Sequence, residues 1–161
     1  MNVRGSAIGD SSGVTVRRMS ASDISEALSI LKESPEASMW SSESLLDSVS
    51  REIAWAAELE GRMTGILIGR AAADEFEILN LAVGRACRRR GVATKLVTAA
   101  LEHAQSAGAR RAFLEVRASN EGAIALYTRV GFRGCGRRLN YYRSPLEDAV
   151  LLVFDEPETN A

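Results

Sequence analysis

The feature that most constrains this chain is a short basic turn between an apolar strand and a long amphipathic helix, at residues 79–96 (LNLAVGRACRRRGVATKL). The strand is predicted over Glu75–Val83. The helix is predicted over Gly91–Ala107, because its apolar residues recur every three or four positions. A helix that begins at such a turn exposes backbone N–H groups and a partial positive charge. Gly91 and Ala93 allow a ligand to approach that backbone, and the arginines add charge-assisted contacts. The segment predicts a diphosphate cradle.

The sequence lacks the motifs of two common phosphate-binding loops. The Walker A loop requires Gly-Lys followed by Ser or Thr, and no Gly-Lys pair occurs in the sequence. The dinucleotide fingerprint requires Gly-x-Gly-x-x-Gly, whereas this turn has the pattern Arg-x-x-Gly-x-Ala at residues 88–93. The alternative is a merely solvated turn, but arginine opposes the helix dipole at that end and therefore needs a reason to be there.

The order of the predicted elements indicates one domain, residues 14–154, with a mixed α/β sheet and helices on both faces. Residues 1–13 are expected to form a mobile arm and residues 155–161 a frayed acidic tail. A strand at 14–18 is followed by two helices, the first starting after Ser20 and the second capped by Ser41 or Ser42. The remaining predicted elements are strands 53–59, 63–70 and 75–83, helix 91–107, strand 112–116, helix 120–130, and strands 132–138 and 149–154 around a loop containing Pro145.

Composition excludes several classes of protein. Lys plus Arg number 20 against 21 Asp plus Glu, so a net charge of −1 gives no overall attraction for nucleic acid. Cys87 and Cys135 are too few for a disulfide framework and have no predicted role; His103, the single histidine, is expected to face solvent and cannot build a metal site alone. No apolar stretch approaches the roughly 18 residues of a membrane span, and no secretory h-region is present at the start. A reducing cytoplasm is the expected compartment.

The turn Arg88-x-x-Gly91-x-Ala93 resembles the acyl-CoA-binding signature of the GNAT acetyltransferases, and later segments extend the resemblance over about residues 78–153. Those segments are Leu114–Asn120, Ala123–Tyr127, Gly131–Phe132, Asn140–Tyr142 and Glu147–Ala149. Together they are similar to the RimI-type N-terminal acetyltransferases, which modify a ribosomal protein.

The resemblance implies a GNAT fold, with a mixed, mostly antiparallel sheet of about seven strands and helices on both faces. It implies acetyl-CoA as co-substrate, no metal, and the N-terminal alanine of a small-subunit ribosomal protein as acceptor. Two other acceptors stay open, a lysine side chain and a small-molecule amine. A non-catalytic acyl-CoA-binding regulator and an RNA binder are alternatives of a different class. The sequence leaves open whether the chain is a monomer or a weak dimer.

Acetyl transfer from a thioester to an amine needs an acceptor for the amine proton and a donor for the departing thiolate. Glu115 alternates with apolar neighbours in its strand, where a carboxylate is costly unless it meets a cleft, water or a cation. The resemblance makes it the proton acceptor, directly or through water; the alternative is a surface glutamate paired with Arg117 or Arg111. Tyr127 is the implied proton donor, and its alternative is a core aromatic residue.

In this family the strand at residues 79–83 is bulged and splays from the next strand, which frees backbone groups of Leu81 and Val83 for the pantetheine arm. Asn120 caps a helix and could also reach the cofactor. The predicted cofactor-binding residues are Leu81, Ala82, Val83, Arg88, Arg89, Arg90, Gly91, Val92, Ala93, Thr94 and Asn120. The predicted acceptor-binding residues are Trp40, Arg138, Asn140 and Tyr141, with a plain polar hairpin as the alternative for the last three.

Overall fold

A seven-stranded sheet with helices on both faces forms the fold in the computed structural model, which describes residues 13–34, 40–51 and 53–155. The strands lie in the order β1-β2-β3-β4-β5-β7-β6, and only β4 and β5 are parallel neighbours. The strands are β1 (Val14–Arg18), β2 (Ala54–Leu59), β3 (Arg62–Ala72), β4 (Glu75–Val83), β5 (Arg111–Arg117), β6 (Arg133–Arg143) and β7 (Leu146–Asp155). The helices are α1 (Ile24–Lys32), α2 (Ser42–Ser50), α3 (Val92–Ser106) and α4 (Glu121–Val130). The predicted fold class is confirmed.

Two apolar cores lie against the sheet. The larger packs the apolar stripe of α3 and the inward side chains of α4 against alternate residues of the central strands, with Phe76 and Leu96 among its fully buried members. The smaller packs α1 and α2 against β2 and β3, with Leu45 and Ile66 at its centre. The sequence period of each element therefore matches the face that it buries.

Strands β4 and β5 hydrogen-bond only at their beginnings, where Glu75–Glu77 pair with Arg111–Phe113. Leu79 is an extra residue in β4, since Ile68 of β3 pairs with Asn80 while Gly69 pairs with Ile78. The bulge and the end of the pairing open a gap between the two strands toward their carboxyl ends. This is the splayed arrangement that the sequence resemblance implies.

The predicted boundaries of α3, β4, β5 and α4 agree with the structure to within one residue at either end. The final hairpin differs. The loop expected around Pro145 is only the two-residue connection of residues 144–145, and β6 continues through Asn140 to Arg143. The strand is difficult to recognise in sequence because β6 is an edge strand with almost every residue exposed, so it lacks apolar alternation.

The expectations for His103, for the two ends of the chain and for membrane spans can also be compared with the structure. His103 does not face solvent freely: its ring lies 5.7 Å from that of Trp55 and accepts from Arg18, so it is half-buried. Asp155 ends β7 instead of beginning a tail. The remainder of the predicted arm and tail, residues 1–12 and 156–161, lies outside the described residues. Within the described ranges, every helix is too short or too polar to span a bilayer.

Candidate active site

A cleft of about 940 Å³ follows the gap between β4 and β5 and ends at the start of α3. Its walls come from β4, the basic turn, the first turn of α3, β5, α4 and the β6–β7 hairpin. The predicted residues that line it are Leu81, Ala82, Val83, Arg88, Arg89, Gly91, Val92, Ala93, Thr94, Glu115, Asn120, Tyr127 and Tyr141. The fold thus brings thirteen residues from five separate segments to one surface, and Arg90, Trp40, Arg138 and Asn140 are the predicted residues outside this lining.

The basic turn leads into α3 through residues with left-handed backbone conformations. Gly91, the N-cap residue, has φ 79°, and Arg89 has φ 64°. A Cβ at Gly91 would meet no atom within 4 Å, so glycine serves here for its backbone conformation and leaves the helix end open. The first turn of α3 carries no acidic side chain. Its free N–H groups and dipole therefore suit an anion.

The Arg88 side chain is held by the end of α1 and by β4. Its Nε donates to the carbonyl oxygen of Val83 at 3.4 Å, and its Nη2 donates to the carbonyl oxygen of Glu33 at 3.3 Å and to Ser34 Oγ at 3.4 Å. The Glu33 carboxylate in turn accepts from the backbone of Arg85 at 3.0 Å. The Arg88 side chain therefore fastens the turn to the end of α1.

The backbone of β4 directs N–H and C=O groups of alternate residues toward the gap. Gly84 donates to the carbonyl oxygen of Thr64 in β3 at 2.8 Å, so its N–H points toward β3. Because N–H and C=O groups alternate in direction along a strand, those of Val83 and Leu81 point the other way, where β5 has already diverged. The Val83 carbonyl oxygen accepts from Arg88 Nε, so the Val83 N–H and the N–H and C=O of Leu81 are the groups that face the gap.

Asn120 performs the predicted capping role and also lines the cleft. Its Oδ1 accepts from the backbone N–H of Ala123 at 3.2 Å, which satisfies a free donor in the first turn of α4. Both interpretations of this residue are compatible with its position.

Glu115 lies on the cleft wall near the end of β5, with 17% of its side chain exposed. Its Oε1 forms an ion pair with Arg138 Nε of β6, 2.7 Å away. The alternative partners have other contacts: Arg111 pairs with Asp155, and Arg117 bonds the carbonyl oxygens of residues 144 and 145. Glu115 is therefore a cleft carboxylate with a cationic neighbour from the hairpin.

Tyr127 is a core aromatic residue and a cleft residue at once. It is 5% exposed, and its ring packs edge-on against Phe132 with centroids 5.3 Å apart. Burial raises the pKa of the Tyr127 phenol well above its ordinary value of 10. The phenol consequently stays protonated near neutral pH and can donate to a group in the cleft.

Tyr141 and Arg138 of β6 meet at the Glu115 carboxylate. The contact with Glu115 raises the pKa of the Tyr141 phenol, and the Arg138 guanidinium carbon lies 5.7 Å from the Tyr141 ring centroid. Asn140 instead bonds Asp148 through its backbone, and Trp40 packs against the smaller core. The hairpin thus reaches the cleft through Tyr141, beside the Arg138–Glu115 ion pair.

Several lining residues were missed at the level of sequence, among them Asn80 and Cys87; Tyr142 of the hairpin also lines the cleft. Asn80 is a buried polar residue in the otherwise apolar β4, which is a recognisable signal. Tyr142 follows Tyr141, and its ring lies 4.2 Å from the Arg117 guanidinium carbon. Cys87 gives no sequence signal of a cleft position. The described residues contain no cluster of three or more His, Cys, Asp or Glu side chains placed to hold a metal ion.

The sheet is splayed between β4 and β5, the start of α3 is open at one side of the gap, and ionisable side chains lie at the other. This arrangement is that of the acyl-CoA-dependent transferases. The acetyltransferase (GNAT) family model matches residues 22–132. The chain belongs to the acetyltransferase (GNAT) family.

Three known proteins illustrate the similarity. The ribosomal protein bS18-alanine N-acetyltransferase of Salmonella typhimurium is 35% identical over 96 residues, which are 58% of this chain and 65% of that protein. The crystal structure of the ribosomal-protein-S18-alanine N-acetyltransferase from Escherichia coli has a TM-score of 0.79 at 27% identity, covering 92% of this chain and 98% of that one. The PaiA N-acetyltransferase from Thermoplasma acidophilum, in complex with coenzyme A, shares the fold, with a TM-score of 0.76 at 16% identity, covering 89% and 99% of the two chains. In sequence, the match thus spans just under two thirds of the first of these relatives.

Proposed function

We propose that this chain transfers the acetyl group of acetyl-CoA to the N-terminal α-amine of a protein, with the N-terminal alanine of a small-subunit ribosomal protein as acceptor. One observation carries the proposal: the open β4–β5 gap has the α3 helix end at one side and both Glu115 and Tyr127 on its walls. A non-catalytic acyl-CoA-binding protein has no need for that pair.

The acceptor amine must lose a proton before it attacks. A peptide α-amine titrates near 8 and is mostly protonated at neutral pH. Glu115 accepts this proton, directly or through a water molecule, from an amine that enters between β5 and the β6–β7 hairpin. Arg138 and Tyr141, which contact the Glu115 carboxylate, border the same entrance and hold the acceptor backbone.

The neutral amine nitrogen attacks the thioester carbonyl carbon, and the carbon–sulfur bond breaks. Negative charge that develops on the carbonyl oxygen is stabilised by outward N–H groups of β4, those of Leu81 and Val83. The departing thiolate takes a proton from the Tyr127 phenol, which burial keeps protonated, and the proton that the nitrogen loses as the amide forms restores the phenol. The products are the acetylated amine and free coenzyme A.

The choice of a terminal alanine rests on the relatives, since the Salmonella typhimurium protein is named for acetylating the alanine of ribosomal protein bS18. Chemistry favours the same class of acceptor. A lysine side-chain amine titrates near 10.4, so its deprotonation costs more than that of an α-amine at the same pH. The cleft provides one carboxylate beside the acceptor entrance, a modest base.

A peptide assay tests the proposal. Purified protein is incubated with acetyl-CoA and short peptides that differ only in the first residue, beside a peptide with a blocked α-amine and an internal lysine. Acetylation is followed by mass spectrometry. The expected result is a preference for the alanine peptide and no product from the blocked one. Acetylation of the blocked peptide would indicate a lysine acetyltransferase instead. Binding of coenzyme A without any product would indicate a non-catalytic regulator.

A further inference from the structure

Opposite the single residue Asp148 of β7, three residues of β6 form a bulge. Arg138 pairs with Ala149 and Tyr142 pairs with Glu147, so the three intervening residues of β6, 139–141, face Asp148 alone. Asn140 at the centre of the bulge has φ 53°, a left-handed conformation that costs free energy for a residue with a Cβ. Such a bulge persists only when its surroundings stabilise it.

Asp148 supplies that stabilisation from two sides. Its Oδ1 accepts from the backbone N–H of Asn140 at 2.9 Å, and its Oδ2 accepts from Arg137 Nη1 at 3.3 Å. Its own carbonyl oxygen accepts from the N–H of Ala118, directly after β5, at 3.0 Å. Asp148 therefore links the bulge of β6 to the end of the strand that carries Glu115.

The bulge determines which side chains reach Glu115. In an unbroken strand, residues three positions apart point to opposite faces of the sheet. Arg138 and Tyr141 are three positions apart, yet the Arg138 guanidinium pairs with Glu115 and its carbon lies 5.7 Å from the Tyr141 ring centroid, and Tyr141 and Glu115 line the same cleft. The extra residues of the bulge remove the alternation and place both side chains at the acceptor entrance.

We propose that Asp148 is a positioning residue for acceptor binding: it fixes the Asn140 bulge so that Arg138 and Tyr141 converge on Glu115. This inference rests on the proposed function for its kinetic consequence. Asp148 is absent from the cleft lining, so its influence on the acceptor passes through the bulge. The cofactor end, at the start of α3, is formed by other elements and is expected to be unaffected.

The experiment compares Asp148→Ala, Asp148→Asn and Asp155→Ala with the wild-type chain. Asp155 is the matched control, because it is also a β7 carboxylate that accepts from two arginines, Arg111 and Arg133, and is absent from the cleft lining. In Asp148→Ala the KM for the alanine peptide is expected to rise about tenfold. The affinity for acetyl-CoA, measured by calorimetry, is expected to be unchanged. Asp148→Asn retains an oxygen acceptor for the Asn140 N–H and is expected to recover most of the loss.

A second measurement does not depend on acetyl transfer. Asp148→Ala should let Tyr141 leave Glu115, so the pKa of the Tyr141 phenol falls toward its ordinary value, seen in the absorbance titration of the protein with and without Tyr141→Phe. An unchanged peptide KM in Asp148→Ala, an equal rise in Asp155→Ala, or a Tyr141 titration that does not move would overturn the inference. A wild-type chain that acetylates no peptide would instead overturn the proposed function, while the titration still decides the role of Asp148.

Discussion

At the scale of single residues, the candidate site depends on side chains that have two environments at once. Tyr127 is packed among core aromatics but lines the cleft, and Glu115 alternates with buried neighbours while its carboxylate contacts Arg138. For these residues the structural and the functional interpretations are not exclusive. Substitutions that keep the packing and remove only the chemistry are therefore the informative ones.

Glu115→Gln keeps the size of the side chain and removes the proposed proton acceptor. We expect kcat to fall by about 10²–10³, a typical contribution of a positioned general base, while the affinity for acetyl-CoA stays nearly intact. The control is Glu77→Gln, which removes a carboxylate of equal side-chain exposure, also paired with an arginine, on the β4 side of the cleft. A larger loss in Glu77→Gln than in Glu115→Gln, measured by steady-state kinetics, would assign the proton acceptor to Glu77.

Tyr127→Phe keeps the ring that packs on Phe132 and removes the phenol proton. We expect kcat to fall by about 10²-fold, since the proposed proton donor to the leaving thiolate is lost. The Tm is expected to change little, because the ring contacts remain. An unaltered kcat together with an unaltered Tm would show that Tyr127 serves the core alone.

At the scale of the elements, two local contacts hold strands and helices in the register that the cleft requires. Gly69 of β3 lies beneath the ring of Phe76, and Asp23 joins the start of α1 to β1 through Arg17. Both contacts are remote from the chemistry but fix the elements that carry it. Each can be tested through stability alone.

Gly69→Ala is expected to destabilise the fold by about 2–3 kcal/mol, the usual cost of overpacking a core. A Cβ at Gly69 would lie 2.2 Å from Phe76 Cζ, and Phe76 is fully buried and cannot move away. Gly122→Ala in α4 is the matched control, because a Cβ there meets nothing within 4 Å and alanine is the better helix former. Urea unfolding measures both, and equal stabilities would contradict the role of the Gly69–Phe76 contact.

Asp23 makes the stability of the N-terminal elements depend on pH. Hydrogen bonds from Arg17 lower the pKa of the Asp23 carboxyl from 3.8 to about 2. A carboxyl whose pKa is depressed by folding stabilises the protein above its unfolded pKa, and the contribution disappears as the pH falls from about 4 to 2. We expect about 1–2 kcal/mol, allowing for solvent around Arg17, which is 40% exposed.

Unfolding of Asp23→Asn between pH 7 and pH 2 checks this expectation: the variant should be less stable at pH 7 and converge with the wild type at pH 2. Asp47→Asn is the control, because the Asp47–Arg51 pair is well exposed within one helix and contributes little. Parallel curves for Asp23→Asn and the wild type down to pH 2 would contradict the assignment.

At the scale of the whole molecule, the cleft exists because the sheet divides. β4 belongs to the antiparallel meander β1–β4, β5 belongs to the β5–β7–β6 group, and the two groups share only a short parallel ladder. A ligand in the gap contacts both groups and α3, so its binding should stabilise the entire fold.

We expect acetyl-CoA at a hundredfold excess over its Kd to stabilise the protein by about 2.7 kcal/mol, which raises the Tm by roughly 5–10 °C. Thermal unfolding with and without the ligand measures the shift. Pantetheine, which lacks the diphosphate and the nucleotide, is the control and should produce a much smaller shift. An equal shift with pantetheine would show that the start of α3 does not bind the diphosphate. An absence of binding heat with acetyl-CoA in calorimetry would show that the cleft is not the cofactor site.

The sequence alone determined the local features of this protein: the apolar strand before Arg88, the helix start at Gly91, the Asn120 cap and the alternation that sets Glu115 apart from its neighbours. These depend on short-range sterics, helix periodicity and side-chain chemistry, which act over a few residues. The GNAT signature and its downstream segments added the family, which the family model confirms.

Only the tertiary structure decided the register of the β6–β7 hairpin and the side-chain contacts that it makes. Pairing across strands far apart in sequence creates the bulge opposite Asp148 and places Arg138 rather than Arg111 or Arg117 on Glu115. An edge strand exposed on both faces has no burial pattern from which its register could be inferred. Side-chain contacts that depend on strand register and on long-range packing cannot be inferred from the neighbouring residues in the sequence.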